Sequence, residues 1–176
     1  MAELVRIGKG APEFHDVRWV MSARSTDEHK QALTHVFRDG KWLVATDGHR
    51  VHALDMSESD SLAWPDGLYA VLADKGEIIL ERRDNGLRFP DWRCIFPNGA
   101  PEKRVHIGFG GGKDNYTEDF SFARLMRALP DGHAILHKYF AALAGARYYE
   151  AWIYAARQPV CFGNYVRLAA IQPATE

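Results

Sequence analysis

Short runs of alternating apolar and polar residues, joined by dipeptides that favour tight turns, constrain this fold most. The runs ALTHVF and KWLVAT flank Arg38-Asp39-Gly40, and another turn dipeptide, Asn85-Gly86, follows the run EIILERR. Asp-Gly tolerates the positive φ of a type I′ turn, which joins neighbouring antiparallel strands. The pattern therefore predicts antiparallel hairpins, with strands at 31–37, 41–46 and 50–56.

Helical periodicity is confined to a few segments. In residues 13–24, the apolar side chains of Phe14, Val17, Val20 and Met21 recur at the spacing of one helix face. Similar faces follow after Asn115 and around Ile135 to Leu143. Helices are thus few and hairpins many. This predicts an α+β fold in which the helices pack on one face of antiparallel sheet.

The composition excludes several classes of protein. No apolar run approaches the roughly 20 residues that a membrane helix needs, and Cys94 and Cys161 are the only cysteines. Without a disulfide framework, a reducing cytoplasm is the expected location. The net charge of −1 argues against a surface that is basic all over, so any nucleic-acid contact needs a local patch and is expected to be weak and salt-sensitive.

Motifs that would indicate an enzyme are missing from the sequence. The glycines at 110–112 do not make a phosphate loop, because Lys113 is followed by Asp114 where that motif needs Ser or Thr. The pairs His49/His52 and His133/His137 lack the further ligands of a metal signature. There is no Gly-x-Ser-x-Gly. We therefore expect no catalytic residue, no metal and no cofactor.

Arginines and aromatic residues alternate around residues 82–104. Such a mixture suits a weak contact with nucleic-acid phosphates. An exposed hairpin with packed aromatic side chains accounts for the same pattern. The candidate DNA-contacting residues are Arg82, Arg83, Arg88 and Arg93.

A compact polar cluster, Thr46-Asp47-Gly48-His49-Arg50, lies between two strand-like runs. Considered alone, Thr46-Asp47-Gly48 is a turn, since Asp accepts backbone hydrogen bonds and Gly takes a positive φ. The complete string VATDGHRVHALDM resembles the signature strand pair of the bacterial DNA polymerase III beta subunit, the sliding clamp. Upstream, ARSTDEHKQALTHVFRDGKWL resembles the segment that leads into that signature.

Two later blocks extend the resemblance. RFPDWRCIFP is similar to the Arg-Phe-Pro-Asp-Tyr segment of the clamps, and YVRLAAIQPATE resembles their last strand and tail. The resemblance implies a DNA-clamp (processivity-fold) architecture. In the clamp family these blocks form a hydrophobic pocket that captures short motifs of polymerases and repair proteins. Carried over, the pocket residues are Thr46, Gly48, His49, Arg50, Val51, Pro90, Cys94, Ile95, Ala170, Gln172, Pro173 and Ala174.

The chain departs from the clamp pattern at several of these positions. Clamps usually have Leu where Val51 stands, often Arg at Cys94, and Met at Gln172 and Ala174. Methionines make adaptable binding surfaces, so their loss predicts a shallower and more polar pocket. Since full clamps have three domains, we expect residues 1–65 and 131–176 to be the two halves of one clamp-like domain and 66–130 to be a divergent insertion or connection.

Two functions follow from the resemblance. The first is a non-enzymatic clamp-like protein that binds hydrophobic motifs, either as a processivity factor or as a competitor of another clamp. The second is an interaction or scaffold protein that reuses the clamp fold with a different partner surface. Phage and prophage genomes carry reduced clamps of this kind. The two-subunit ring of full clamps is not expected, while other homo-oligomers remain open.

Overall fold

A computed structural model describes the chain at residues 3–59, 64–109, 118–131, 134–144 and 148–174, without the side chains of 118–120. The chain divides into two compact units, Met1–Pro90 and Asp91–Glu176. Each unit combines antiparallel strands with helix. The predicted α+β class is confirmed.

The first unit is built on antiparallel hairpins. Its strands follow the order β1-β6-β5-β2-β3-β4, and each described pair is antiparallel. The hairpins β2–β3 and β3–β4 agree with the prediction. The elements are β1 (Leu4–Gly8), α1 (Phe14–Met21), β2 (Val36–Asp39), β3 (Trp42–Thr46), β4 (Arg50–Asp55), β5 (Gly67–Ala73) and β6 (Glu77–Arg83).

Helix α1 is held against β3 and β4 by its apolar face. Phe14, Val17 and Val20 are buried, as the periodicity predicts. The ring of Trp19 stacks on the buried His52 of β4, with ring centroids 4.2 Å apart. His52 Nδ1 lies 3.0 Å from the Trp19 carbonyl oxygen. Since a carbonyl only accepts, Nδ1 carries the proton, and the pair ties the helix to the strand.

The predicted strand at 31–37 is wrong in its first half. Residues Gln31–Thr34 form a 3-10 turn, and β2 begins only at Val36. The Thr34 hydroxyl donates to the Gln31 carbonyl at 2.8 Å, and the Leu33 carbonyl accepts from the Ser25 amide at 2.9 Å. These local and neighbouring bonds compete with a strand ladder. Alternation of apolar residues alone could not reveal them.

The turn chemistry also differs from expectation. The hairpin at Asp39-Gly40 forms, but Asp39 is the last residue of β2 and pairs with Trp42. Gly40, the first residue of the two-residue turn, has φ +59°, whereas the φ of Lys41, the second, is not positive. This combination is that of a type II′ turn, since type I′ needs a positive φ at both residues. After Asn85-Gly86, the run LRF is not a strand. There the Asn85 side chain accepts from the Leu87 amide at 3.2 Å.

The second unit contains the remaining strands in the order β10-β9-β8-β7, with each described pair antiparallel. Three strands lie at the C-terminal end of the unit. The helix predicted over AILHKYFAALAGA is shorter, because residues before His137 are extended. The elements are β7 (Lys103–Gly108), α2 (Glu118–Ala128), α3 (His137–Ala141), β8 (Tyr148–Ile153), β9 (Val160–Gly163) and β10 (Arg167–Ile171).

Some sequence features fall outside the described residues. They include the glycines at 110–112, the helix start at Asn115, and His133. The segment 66–130 contributes β5 and β6 to the first unit and β7 and α2 to the second. The predicted assignment of 1–65 and 131–176 as halves of one domain stays a prediction.

A tryptophan lies flat on a glycine in the second unit. On this face of the sheet Trp152 of β8 stands next to Gly163 of β9, and a Cβ built on Gly163 would come within 2.9 Å of Trp152 Cζ2. The indole Nε1 donates to Glu150 at 2.5 Å, which holds the ring in place. Gly163 is therefore required by packing.

We predict that Gly163→Ala destabilises the protein by about 1–3 kcal/mol, the range for overpacking a filled site. Gly8→Ala is the matched control, because a Cβ there meets nothing within 4 Å, and its effect should stay within about 0.5 kcal/mol. Chemical denaturation measures both. Equal stability of the two variants would contradict the packing role of Gly163.

Candidate functional site

The connection between β3 and β4 is ordered by its own side chains. The Asp47 carboxylate accepts from the His49 amide at 2.9 Å and from the Arg50 amide at 3.1 Å. The buried Thr46 hydroxyl donates to the Arg50 carbonyl at 2.6 Å and accepts from the Gly48 amide at 3.1 Å. The turn predicted at Thr46-Asp47-Gly48 is confirmed. The side chains of both Thr46 and Asp47 hold it by hydrogen bonds.

Arg50 joins this connection to the end of α1. Its Nε lies 3.2 Å from Asp47 Oδ2, and both side chains are less than a fifth exposed. Its Nη2 donates to the Ser22 carbonyl, just beyond α1. Such a partly buried, charge-assisted pair holds the guanidinium more firmly than a surface ion pair would. Arg50 thus positions the connection relative to the helix.

Gly48 is the exposed point of the connection. Its φ of +93° lies in the left-handed region, where glycine is favoured. A Cβ at this position would lie 3.7 Å from Lys30 Nζ and 3.9 Å from Leu33 Cδ1, both ordinary contacts. Lys30 Nζ also donates to the Asp47 carbonyl at 3.4 Å. The apolar side chain of Leu33 and the cationic side chain of Lys30 therefore lie beside Gly48, which has no side chain.

The second stretch of candidate residues is organised by Asp91 and Trp92. The Asp91 side chain caps a 3-10 turn over Trp92–Ile95 by accepting from the Arg93 amide at 3.2 Å. Trp92 is buried and anchors the turn. Cys94 is exposed, and its thiol donates to the Asp91 carbonyl at 2.8 Å. Within this turn, Cys94 and the half-buried Ile95 are accessible to a ligand.

The third stretch leaves the last strand and is held by its backbone. The Ala174 amide donates to the Ala134 carbonyl at 2.7 Å. Gln172, Pro173 and Ala174 are half-buried, while Ala170 in β10 is fully buried. This backbone bond holds the tail at Ala174. Ala170 supports this surface from below and does not reach it.

The predicted pocket residues divide between the two units. Thr46, Gly48, His49, Arg50, Val51 and Pro90 belong to the first, and Cys94, Ile95, Ala170, Gln172, Pro173 and Ala174 to the second. Within the first unit, Gly48 and His49 are exposed, whereas Thr46 and Val51 are buried. That all these residues form one pocket stays a prediction.

Most of the candidate DNA-contacting arginines already have partners. Arg82 lies 3.6 Å from Glu3 and donates to the Asp66 carbonyl at 3.0 Å, and Arg83 pairs with Glu81. The Arg93 guanidinium lies over the ring of Trp92, 4.5 Å from its centroid. These contacts favour a structural role, although DNA contact by these residues stays a prediction.

A basic groove in the second unit was missed by sequence reasoning. A cavity of about 570 Å³ lies between β7 and α2, lined by Lys103, Arg104, Arg124 and Arg127. The strand and helix are far apart in sequence, and the near-neutral total charge conceals the cluster. Lys103 and Arg104 lie at the end of the arginine-rich stretch 82–104, whereas Arg124 and Arg127 lie well beyond it.

Two kinds of feature are not found in the described part of the chain. Among those residues, no group of His, Cys, Asp or Glu is placed to hold a metal ion. None of their helices is long and apolar enough to cross a membrane.

Comparison with known proteins finds similarity in structure only. No family model matches the chain, and no curated protein matches its sequence. Similar solved structures include the DNA polymerase III beta subunit of Borrelia burgdorferi in complex with a natural product. It is 14% identical, with a TM-score of 0.65 over 98% of this chain and 64% of that chain. The chain therefore spans less than two thirds of that neighbour.

Two further clamps give the same result. The beta chain of Streptococcus pneumoniae is 13% identical, with a TM-score of 0.65 over 100% of this chain and 66% of that chain. The Helicobacter pylori beta clamp bound to a DNA ligase peptide is 10% identical, with a TM-score of 0.58 over 98% of this chain and 66% of that chain. The predicted clamp-type fold is confirmed.

We predict that Thr46→Val destabilises the protein by about 1–3 kcal/mol. The substitution keeps the side-chain shape but leaves the Arg50 carbonyl and the Gly48 amide without their partner. Thr26→Val is the control at an exposed position and should change stability by less than about 0.5 kcal/mol. Denaturant titration of the wild-type protein and the two variants measures their free energies of unfolding. A Thr46→Val protein as stable as wild type would mean that this hydroxyl does not order the connection.

Proposed function

We propose that the protein is a non-enzymatic, sliding-clamp-like protein that binds short hydrophobic motifs of DNA replication or repair proteins. It would act as a processivity factor or as a competitor of another clamp. The clamp-type fold over nearly the whole chain supports this proposal. One neighbour of the same fold has been solved with a DNA ligase peptide, and the Bartonella birtlesii clamp has been solved bound to griselimycin.

The observation that carries the proposal is the ordered, exposed backbone at Gly48. Asp47 and Thr46 hold the connection by hydrogen bonds that a ligand need not supply. A surface ordered before binding loses less entropy when it binds. Leu33 offers apolar contact beside Gly48, and Lys30 offers a cation. A peptide that combines a large apolar side chain with a polar or acidic group would suit this surface.

The expected affinity is modest. Ala174 and Gln172 stand where clamps usually have Met, and each missing large apolar side chain forgoes roughly 1.5–3 kcal/mol of burial. Ala170 is buried and adds no contact area. We therefore expect a dissociation constant in the micromolar range, which corresponds to about −8 kcal/mol.

The main alternative is a scaffold protein that uses the clamp fold and a different partner surface. It predicts no response to clamp-binding peptides. Encirclement of DNA is a separate question, because the chain covers only part of the length of its structural neighbours. A peptide-binding experiment does not depend on whether the protein encircles DNA.

We predict that a fluorescent peptide with a Leu-Phe pair binds the wild-type protein with micromolar affinity and binds Gly48→Leu at least about tenfold more weakly. The matched control is Gly48→Ala, which has the same strained φ but adds only a methyl group in ordinary contact. Fluorescence anisotropy measures the affinities, and thermal unfolding shows that both variants fold. Identical titration of all three proteins, or no binding to wild type, would refute the proposed site.

A second prediction uses Cys94 as a probe of the second unit. Burial raises the pKa of the Cys161 thiol to about 12, so that thiol stays protonated and unreactive. Mild alkylation should therefore modify the exposed Cys94 alone. If Cys94 belongs to the peptide site, saturating peptide slows its alkylation several-fold. An unchanged rate would remove Cys94 from the site while leaving the Gly48 test intact.

A further inference from the structure

The groove between β7 and α2 combines a strand edge with cationic walls. Strand β7 stands at the end of the strand order, and among the described residues only β8 pairs with it. Helix α2 runs beside it, and the Ser121 hydroxyl donates to the carbonyl of Gly108, the last residue of β7. The groove between them has a volume of about 570 Å³.

The lining of the groove leaves room for an extended chain. Ala123 and Ala128 are the small residues of α2 that face the groove, and Arg124 and Arg127 stand next to them. Both arginines are exposed. The small side chains of Ala123 and Ala128 leave space beside the strand for another backbone, since no larger side chain of the described residues fills the groove.

The described charged residues that line the groove are all basic, namely Lys103, Arg104, Arg124 and Arg127. Arg104 pairs with Glu150 at 3.1 Å. Among the described residues, no carboxylate pairs with Lys103, Arg124 or Arg127. These cations line one cavity, where an acidic ligand would gain charge-assisted contacts.

The strand edge favours a peptide over a nucleic acid. An unpaired edge presents alternating N–H and C=O groups, and only another peptide backbone supplies both complementary groups. A phosphate backbone offers acceptors alone, so the outward carbonyls of β7 would gain no partner from it. An extended peptide satisfies the edge and meets the cations with its side chains.

A second copy of this chain fits the groove poorly. A second copy would bring its own β7, with Lys103 and Arg104, to this groove. Pairing β7 against β7 would therefore bring cations to cations. Like charges across neighbouring strands are destabilising.

We propose that the groove between β7 and α2 binds an extended, carboxylate-rich peptide segment of a partner protein, which adds to the edge of β7. Lys103, Arg124 and Arg127 bind its acidic side chains, and Ala123 and Ala128 form the floor. This site lies within the second unit and does not depend on the hydrophobic-motif site proposed above.

The test is anisotropy of a short fluorescein-labelled peptide of alternating Thr and Glu, at low salt and at about 150 mM salt. The wild-type protein should bind it at least about tenfold more tightly than the same peptide with Lys in place of Glu. N-methylation of alternate residues keeps the charge but blocks backbone pairing, so it should weaken binding by a similar factor.

Two variants locate the site. Arg124→Glu/Arg127→Glu reverses the charge of the groove. Ala123→Leu fills the groove at an exposed helix position without changing the charge. Each variant should bind the acidic peptide at least about tenfold more weakly than wild type. Lys9→Glu/Lys75→Glu is the control, because it makes the same change in net charge at exposed positions of the first unit. It should bind like wild type, as should Gly48→Leu.

Several outcomes would overturn the proposal. They are equal binding of the N-methylated peptide, loss of binding in the Lys9→Glu/Lys75→Glu control, or unchanged binding in both groove variants. Tighter binding of duplex DNA than of the acidic peptide, abolished by Arg124→Glu/Arg127→Glu, would assign the groove to nucleic acid. Concentration-dependent self-association that this variant abolishes would assign it to a second copy.

Discussion

The hydrogen bonds of Asp47 and Thr46 are the constraint on which the first unit depends. β3 and β4 are buried along nearly their whole length, so the polar groups where they are joined need partners inside the protein. Asp47 and Thr46 provide them, and Arg50 extends the network to the end of α1. A buried strand pair can therefore end in a short connection whose amides at Gly48, His49 and Arg50 are hydrogen-bonded.

The hydrogen bonds of Asp47 and Thr46 also leave part of the connection accessible for binding. Because the carboxylate and hydroxyl bond to the connection itself, the backbone at Gly48 and the imidazole of His49 remain at the surface. A positive φ at Gly48 is needed for the connection, and the same glycine keeps the surface open. Under the proposed function, Gly48 meets both a folding requirement and a binding requirement. The turn and the proposed site are two aspects of one segment.

Sequence reasoning predicted features that depend on neighbours along the chain. Helix α1 and the β2–β3 and β3–β4 hairpins follow from local periodicity and turn residues, and the resemblance at residues 44–56 predicted the clamp-type fold. Sequence reasoning failed where backbone groups distant along the chain bond to each other, as the Ser25 amide does with the Leu33 carbonyl beside the 3-10 turn. It also missed the basic groove, because only folding brings Lys103 next to Arg127.

The most direct test of the central claim is to map peptide binding residue by residue with amide NMR spectra. On titration with a Leu-Phe peptide, the account predicts that the largest shift changes lie at Gly48, His49 and Arg50, and at the neighbouring Lys30 and Leu33. Resonances of β7 and α2 should stay unchanged. Shift changes confined to residues away from Gly48, or an unaltered spectrum at saturating peptide, would contradict the claim that this ordered connection is a binding surface.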